Sequence, residues 1–390
     1  MKRRIAVVTT SRADWSHLVW VVREMRDHPL LVPTVLAIGA QLAEEFGRAE
    51  REIERDGLTI DERVECLLSS DTDVGMAKTI GVAVLGLADT LGRLRPDLLL
   101  LIADRYELLA PAAVALALRI PIAHVEGGEV SEGAIDDAVR NALTKLSHVH
   151  FTPTESARRR VLALGEEPWR VHRVGAPSLD HLKRSPLLDR PTLARTLGMA
   201  LDPAPVVVAY HPVTIARDTL REAEAVFAAL ERIAAPLVFC FPNADAGSRR
   251  LIGRAEALVA RRPGSRLFVN LNPVEYWSLL THAAALVGNS SSGIMEAPAV
   301  PLPSVNIGLR QHGRERAPSV LDAPADADAI VATLARALDP AFREGLRGLD
   351  NPYGDGTASR RIVDVLAQVA LGEDLLRKRA AALDGWPRAL

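Results

Sequence analysis

Aromatic residues make up 4 % of this 390-residue chain, and cysteine is almost missing, with two. A core with few rings must be aliphatic and closely packed, which suits helices on sheets better than a sandwich of aromatic-rich strands. Cys66 and Cys240 stand far apart in apolar surroundings. Neither a disulfide framework nor a thiolate metal site is expected from them, and a reducing, cytoplasmic compartment is the expectation. Charge of one sign is lacking too: 47 Lys and Arg face 49 Asp and Glu, a formal net of -2. No field is available to hold nucleic acid or an anionic membrane, so neither is an expected partner. The basic start Met1-Lys2-Arg3-Arg4 leads only into the short apolar run Ile5 to Val8, which is no export signal. The most apolar long stretch, Leu108 to Val125, is broken by Pro111, Arg119 and Pro121. A membrane span takes about 20 uninterrupted apolar residues, and none is read here.

What is present is alternation. Short apolar runs at Ile5 to Thr9, Val32 to Ile38, Leu98 to Ala103, Ile122 to Val125, Val149 to Thr152 and Val171 to Val174 are separated by helical periodicity. After a proline-rich break the pattern restarts with Val206 to Tyr210, Leu237 to Phe241, Leu267 to Val269, Ala285 to Gly288 and Ser304 to Ile307. This predicts an α/β fold of two Rossmann-like, doubly wound domains facing a cleft, with the hinge near residues 176 to 185. The expected division is 1–176, 177–357, and a helical segment 358–390 able to pack back on the first domain. In such folds ligands bind beyond the carboxyl ends of the strands.

Several loops at those ends carry chemistry. Gly288-Asn289-Ser290-Ser291-Ser292-Gly293 follows a strand and opens a helix, so small residues, hydroxyls and a helix N-terminus offer an anion site. Glu296, one turn on, could accept from ribose hydroxyls; an ordinary capped βα turn is the bland alternative. Arg12 ends the first strand and could grip phosphate oxygens or simply cap. Asp104 and Glu126 end the next central strands, where a carboxylate pair can divide acid and base roles or serve as caps and ion-pair partners. Asp136 and Arg140 lie four apart on one helix face, beside Asp137. His148 and His150 point the same way from a strand, but no third ligand is near, so hydrogen-bonded histidines are expected rather than a metal. His211 ends the first strand of the second set and could neutralise a phosphate or move a proton. Asn243 and Arg310 sit in later strand-end loops, and Arg105 follows Asp104.

In combination these segments resemble the hydrolysing branch of the UDP-N-acetylglucosamine 2-epimerase family. The resemblance runs from Ser11-Arg12-Ala13-Asp14 to Asn351-Pro352-Tyr353-Gly354-Asp355-Gly356. Its most specific stretch is HVEGGEVSEGAIDDAVRNALTKLSHVHF from His124 to Phe151, supported by YHPVT at Tyr210, PNADAGS at Pro242, GNSSSG at Gly288 and NIGLRQHGR at Asn306. It implies a fold of the GT-B type and conversion of UDP-N-acetylglucosamine, or a related UDP-sugar, to UDP and a free N-acetylmannosamine-type sugar through a glycal. By resemblance, Arg12, His211, Ser290, Ser291 and Arg310 contact the diphosphate and Glu296 the ribose. Asp104, Glu126 and Asp136 surround the sugar, supported by Arg140, His148 and His150, with Arg105, Asp137 and Asn243 as further substrate contacts. The family further implies a homodimer or homotetramer and no metal or nicotinamide cofactor. Two positions depart from it: Ala103 replaces a usual Gly, and Asn141 a common His. A non-hydrolysing epimerase, a glycosyltransferase of the same fold and a nucleotide-sugar sensor remain as alternatives.

Overall fold

The computed structural model describes all residues except 1, 47–48, 219, 241–244, 246, 269–270 and 381–390. The first sheet holds β1 (Arg3–Thr9), β2 (Leu31–Ile38), β3 (Glu62–Val64), β4 (Leu98–Ile102), β5 (Ile122–Val125), β6 (Val149–Thr152) and β7 (Val171–Arg173), in the order β3-β2-β1-β4-β5-β6-β7. The second holds β8 (Val206–Ala209), β9 (Leu237–Cys240), β10 (Arg266–Phe268), β11 (Ala285–Gly288), β12 (Ser304–Ile307) and β13 (Val320–Ala323), in the order β10-β9-β8-β11-β12-β13. Strand pairing is parallel in both sheets. Order reverses between β1 and β4 and between β8 and β11, the crevice positions where doubly wound sheets bind ligands.

The strands expected from apolar runs are present, with ends shifted by one or two residues. Central strands such as Leu98–Ile102 are buried at every position, as two helical layers require. β3 and β13 were not anticipated. Both are edge strands, where burial on fewer sides leaves Glu62, Arg63 and Asp322 in the run and erases its apolar signature.

The helices that matter below are α1 (Arg12–Asp27), α2 (Asp73–Leu94), α3 (Leu109–Leu118), α4 (Asp136–Leu146), α5 (Pro273–His282), α6 (Ser292–Met295) and α7 (Ala358–Gln368). Ser11 caps α1, accepting from the Asp14 amide. By length and composition α2 is apolar enough to cross a membrane, a feature passed over in the sequence. Its Thr79, Ala83, Leu87 and Leu91 are nonetheless buried, the last three in the core with Val64, Leu99 and Leu101 of the first sheet. α7 returns to that sheet: Ile362, Val363 and Leu366 share a core with Trp15, Leu18 and Val22 of α1.

The start of α7 is held by the buried Asp180, whose carboxylate accepts from the amides of Ala358 at 2.9 Å and Ser359 at 2.8 Å. Replacing it leaves two buried N–H groups unmatched. Asp180→Ala is expected to lower stability by about 2 kcal/mol in urea unfolding. A loss below about 0.5 kcal/mol would show that α7 does not rely on this clamp.

Candidate active site

The carboxyl ends of the two sheets face each other across a cavity of about 1260 Å³, counted to its open mouth. Two close approaches set its walls. Gly288 has φ 145°, and a Cβ there would meet the Ala209 carbonyl oxygen at 2.0 Å, so β11 can turn over the end of β8 only as glycine. A Cβ on Gly133 would lie 2.6 Å from Cα of Arg310, which brings the loop after β5 against the loop after β12.

On the first-sheet side the backbone is bent sharply. Ala103, just after β4, has φ 60°, and Glu126, just after β5, has φ 66°, both in the left-handed region. Side chains disfavour that region by about 1–2 kcal/mol. Strain held at the ends of adjacent central strands turns Asp104 and Glu126 into the cavity, the usual place for such strain. His124 fixes the bend through Nε2 and the Ala103 carbonyl oxygen at 2.8 Å. Burial keeps His124 neutral, its pKa lowered to about 4.

Asp104 is paired with the Arg140 guanidinium. Arg140 also donates to the Glu129 carbonyl at 2.9 Å, Ser131 Oγ at 2.9 Å and Asp137 at 3.3 Å, so it ties α4 to the loop after β5. Glu126 meets His17 Nδ1 at 2.7 Å, and the other ring nitrogen of His17 lies 3.6 Å from Glu296 of the second sheet. Burial pulls the His17 pKa down, but Glu126, with Glu296 behind it, more than reverses this and lifts it to about 9. Burial pushes Glu126 up, and the His17 cation prevails, so its pKa is lowered from the ordinary carboxylate value. Asp136 ends the opposite way: burial raises it, and Arg310 at 3.1 Å only partly offsets this. Two carboxylates in one cavity are thereby pushed apart.

The other wall carries Arg12, His211, Ser290, Ser291, Glu296 and Arg310, all lining the cavity. Arg310 also donates to the Asn289 carbonyl at 3.1 Å. Glu296 accepts from Ser292, which meets the Tyr276 hydroxyl of α5 at 2.6 Å. Arg105 lines the cavity but is engaged by Asp245 at 2.7 Å and Glu107 at 3.2 Å.

Other expectations fare differently. His148 and His150 lie outside the cavity, toward the start of β6. His150 meets Glu166 at 3.0 Å, and His148 Nδ1 accepts from the Ile122 amide at 3.1 Å, within a buried cluster that Lys378 joins. Spacing along a strand shows that two side chains share a face, not which end of the sheet they occupy. Asp137 stands behind the wall, accepting from the Ser131 amide at 2.8 Å, and Asn141 turns to Asp137 rather than to the cavity. Asn243 lies outside the described residues. The expected helix after the serine loop is only Ser292–Met295. One turn sums few peptide dipoles, so an anion held here would be met by cations rather than by a helix end. His211 is no ready cation either: burial, with Arg310, lowers its pKa to about 3. Among the described residues no group of three or more His, Cys, Asp or Glu is arranged to hold a metal ion.

His17, Glu129, Arg314, Tyr276 and Asp245 were missed. Glu129 and Arg314 face each other at 3.6 Å across the two loops. Arg314 and Asp245 stand within the NIGLRQHGR and PNADAGS stretches already singled out, and His17 lies one turn beyond Asp14 on α1, so proximity to marked loops was the available signal.

A family profile described as UDP-N-acetylglucosamine 2-epimerase matches residues 23–367. A Campylobacter jejuni GDP/UDP-N,N'-diacetylbacillosamine 2-epimerase (hydrolyzing) is 35 % identical over 324 residues, 82 % of this chain and 84 % of that one. A Legionella pneumophila UDP-N,N'-diacetylbacillosamine 2-epimerase (hydrolyzing) is 33 % identical over 380 residues, 97 % of this chain and 99 % of that one. The crystal structure of a Neisseria meningitidis UDP-GlcNAc 2-epimerase bound to UDP-GlcNAc shares the fold, with TM-score 0.78, 18 % identity, and coverage of 94 % of this chain and 100 % of that one.

The left-handed backbone at Ala103 gives a direct test of the strained wall. Ala103→Gly removes the Cβ penalty and is expected to raise stability by about 1 kcal/mol in urea unfolding. No gain, or a loss, would contradict the strain assigned to this bend.

Proposed function

The chain belongs to the UDP-N-acetylglucosamine 2-epimerase family, and from that premise we propose that it is a hydrolysing 2-epimerase acting on UDP-activated N-acetylated hexosamines. The observation that carries this is the cavity itself. Three carboxylates, Asp104, Glu126 and Asp136, line one wall, and Arg12 and Arg310 line the cavity with them.

In the proposed reaction a base takes the C2 proton while the C1–O bond breaks and UDP departs with its electron pair, leaving a glycal. Water then adds across the double bond: hydroxyl to C1, proton to the opposite face of C2. The net change is hydrolysis with inversion at C2. No step in it transfers a hydride, so none calls on a nicotinamide. Glu126, kept ionised by His17, suits proton acceptance, and Asp136, pushed up by burial, suits proton donation. Arg310 turning to the diphosphate would remove the charge that opposes protonation of Asp136. Departure of UDP is eased by Arg12 and Arg310, with Ser290 and Ser291 as neutral donors. Glu296 is the ribose contact in this account. Asp104, fixed by Arg140, is the third acid at the sugar, and His211 acts as a neutral hydrogen-bonding group.

The two relatives named for diacetylbacillosamine favour a UDP-2,4-diacetamido-trideoxy sugar over UDP-N-acetylglucosamine as the substrate. The product is then the free C2 epimer of that sugar, rather than N-acetylmannosamine for sialic acid synthesis. A cytoplasmic location accords with the chemistry of a nucleotide-sugar enzyme.

Incubation with both UDP-sugars in deuterated water is expected to release UDP and a free sugar carrying one deuterium at C2, faster from the diacetamido substrate. Accumulation of a UDP-linked epimer, or UDP release only with an added acceptor, would contradict hydrolysis. Asp104→Asn is expected to cut turnover by about a thousandfold while changing UDP affinity only a few-fold. Turnover left intact would remove Asp104 from the chemistry.

A further inference from the structure

Glu129 lines the cavity with Glu126 and Asp136, yet neither step of the proposed reaction uses it. It follows Glu126 in the loop after β5 and is 3 % exposed. One carboxylate oxygen, Oε2, accepts from the Tyr353 hydroxyl at 3.1 Å and lies 3.6 Å from Arg314. The other, Oε1, is buried without a hydrogen-bond partner among the described residues. Arg314 spends its N–H groups elsewhere, on the Val130 carbonyl at 2.9 Å, Ser131 Oγ at 3.4 Å and Met295 Sδ at 2.9 Å. A buried acceptor left open in this way is costly, and folded proteins keep few of them without a reason.

Its place in the cavity points to a reason. The bond that breaks joins the sugar ring to the diphosphate, so C1 must lie between the acids beyond β5 and the cations beyond β12. The Glu129–Arg314 pair spans those two loops, as the Asp136–Arg310 pair does beside it. A carboxylate there is placed to serve C1, whereas Glu126 and Asp136 are both engaged with the proton at C2. Burial raises the Glu129 pKa, Arg314 and the Tyr353 hydroxyl offset this only in part, and the neighbouring Glu126 adds to the rise. Such a carboxylate is a stronger base than one in open water. A purely structural tie between the loops would use Oε2 and leave Oε1 without a role.

We propose that Glu129 is the general base of the hydration step, its Oε1 holding the water that adds to C1. This rests on the hydrolysing 2-epimerase reading. The glycal double bond takes a proton from Asp136 at C2, a water lone pair forms the new C1–O bond, and the water gives its proton to Oε1. Glu126 then carries the proton taken from C2 and Glu129 the one taken from water. One of these recharges Asp136, and the other is the proton that hydrolysis sets free. Tyr353 is a positioning residue, since its hydroxyl occupies Oε2 and leaves Oε1 to the water.

The test is a single turnover of the diacetamido UDP-sugar with enzyme in excess, in which UDP, glycal and free sugar are each measured. Glu129→Gln is expected to form UDP within about tenfold of the wild-type rate, while free sugar appears at least about a hundredfold more slowly and glycal accumulates. Tyr353→Phe should raise the ratio of glycal to free sugar in the same direction by less, which decides the matter if Glu129→Gln fails to fold. UDP and free sugar falling in equal proportion in Glu129→Gln, with no glycal, would overturn the role of Glu129, as would an unchanged ratio in Tyr353→Phe. A wild type that releases no free sugar would instead overturn the hydrolysing reading, and this proposal with it.

Discussion

Ion pairs across the cleft are the constraint on which the rest of the site depends. Carboxylates buried at the ends of two facing sheets cannot stay charged in isolation, because desolvation disfavours the ionised form. Each is met by a cation, often from the opposite side: Glu126 and Glu296 by His17, Asp136 by Arg310, Glu129 by Arg314, Asp245 by Arg105. The same contacts that hold the two halves together therefore decide which acids are ionised.

His17 occupies the middle of this arrangement. It rises from the first turns of α1, behind the Ser11 cap, and reaches one acid from each sheet. It holds Glu126 ionised, whereas burial, reinforced by Asp245, raises the Asp136 pKa; in the proposed reaction the two serve opposite faces of one sugar ring. The anion side is built more economically than the sequence suggested. A one-turn helix and a neutral His211 leave Arg12 and Arg310 as the cations at the proposed diphosphate site, which accords with a near-neutral chain.

The architecture was legible because buried parallel strands must be apolar throughout, so runs such as Leu98 to Ile102 and Val206 to Ala209 stand out. Two of the four edge strands were not, since β3 and β13 keep charged residues in their runs. Strand ends pointed to Asp104, Glu126, His211 and Ser290, all of which line the cavity. Partners were hidden for a physical reason: pairing His17 with Glu296, or Glu129 with Arg314, depends on how two sheets are set against each other, and local periodicity carries no such information. His148 and His150 show the converse, a correct shared face at the wrong end of the sheet. The departure at Ala103 acquires a meaning only with its left-handed backbone, where glycine would be free of strain.

The charge state of His17 tests this account most directly. In protein labelled with ¹⁵N at histidine, the His17 ring is predicted to keep both N–H protons through neutral pH and to titrate at about 9. The shift should collapse in a Glu126→Gln variant. A midpoint at or below the ordinary histidine value of 6.5 would contradict the claim that a cation between Glu126 and Glu296 organises the site.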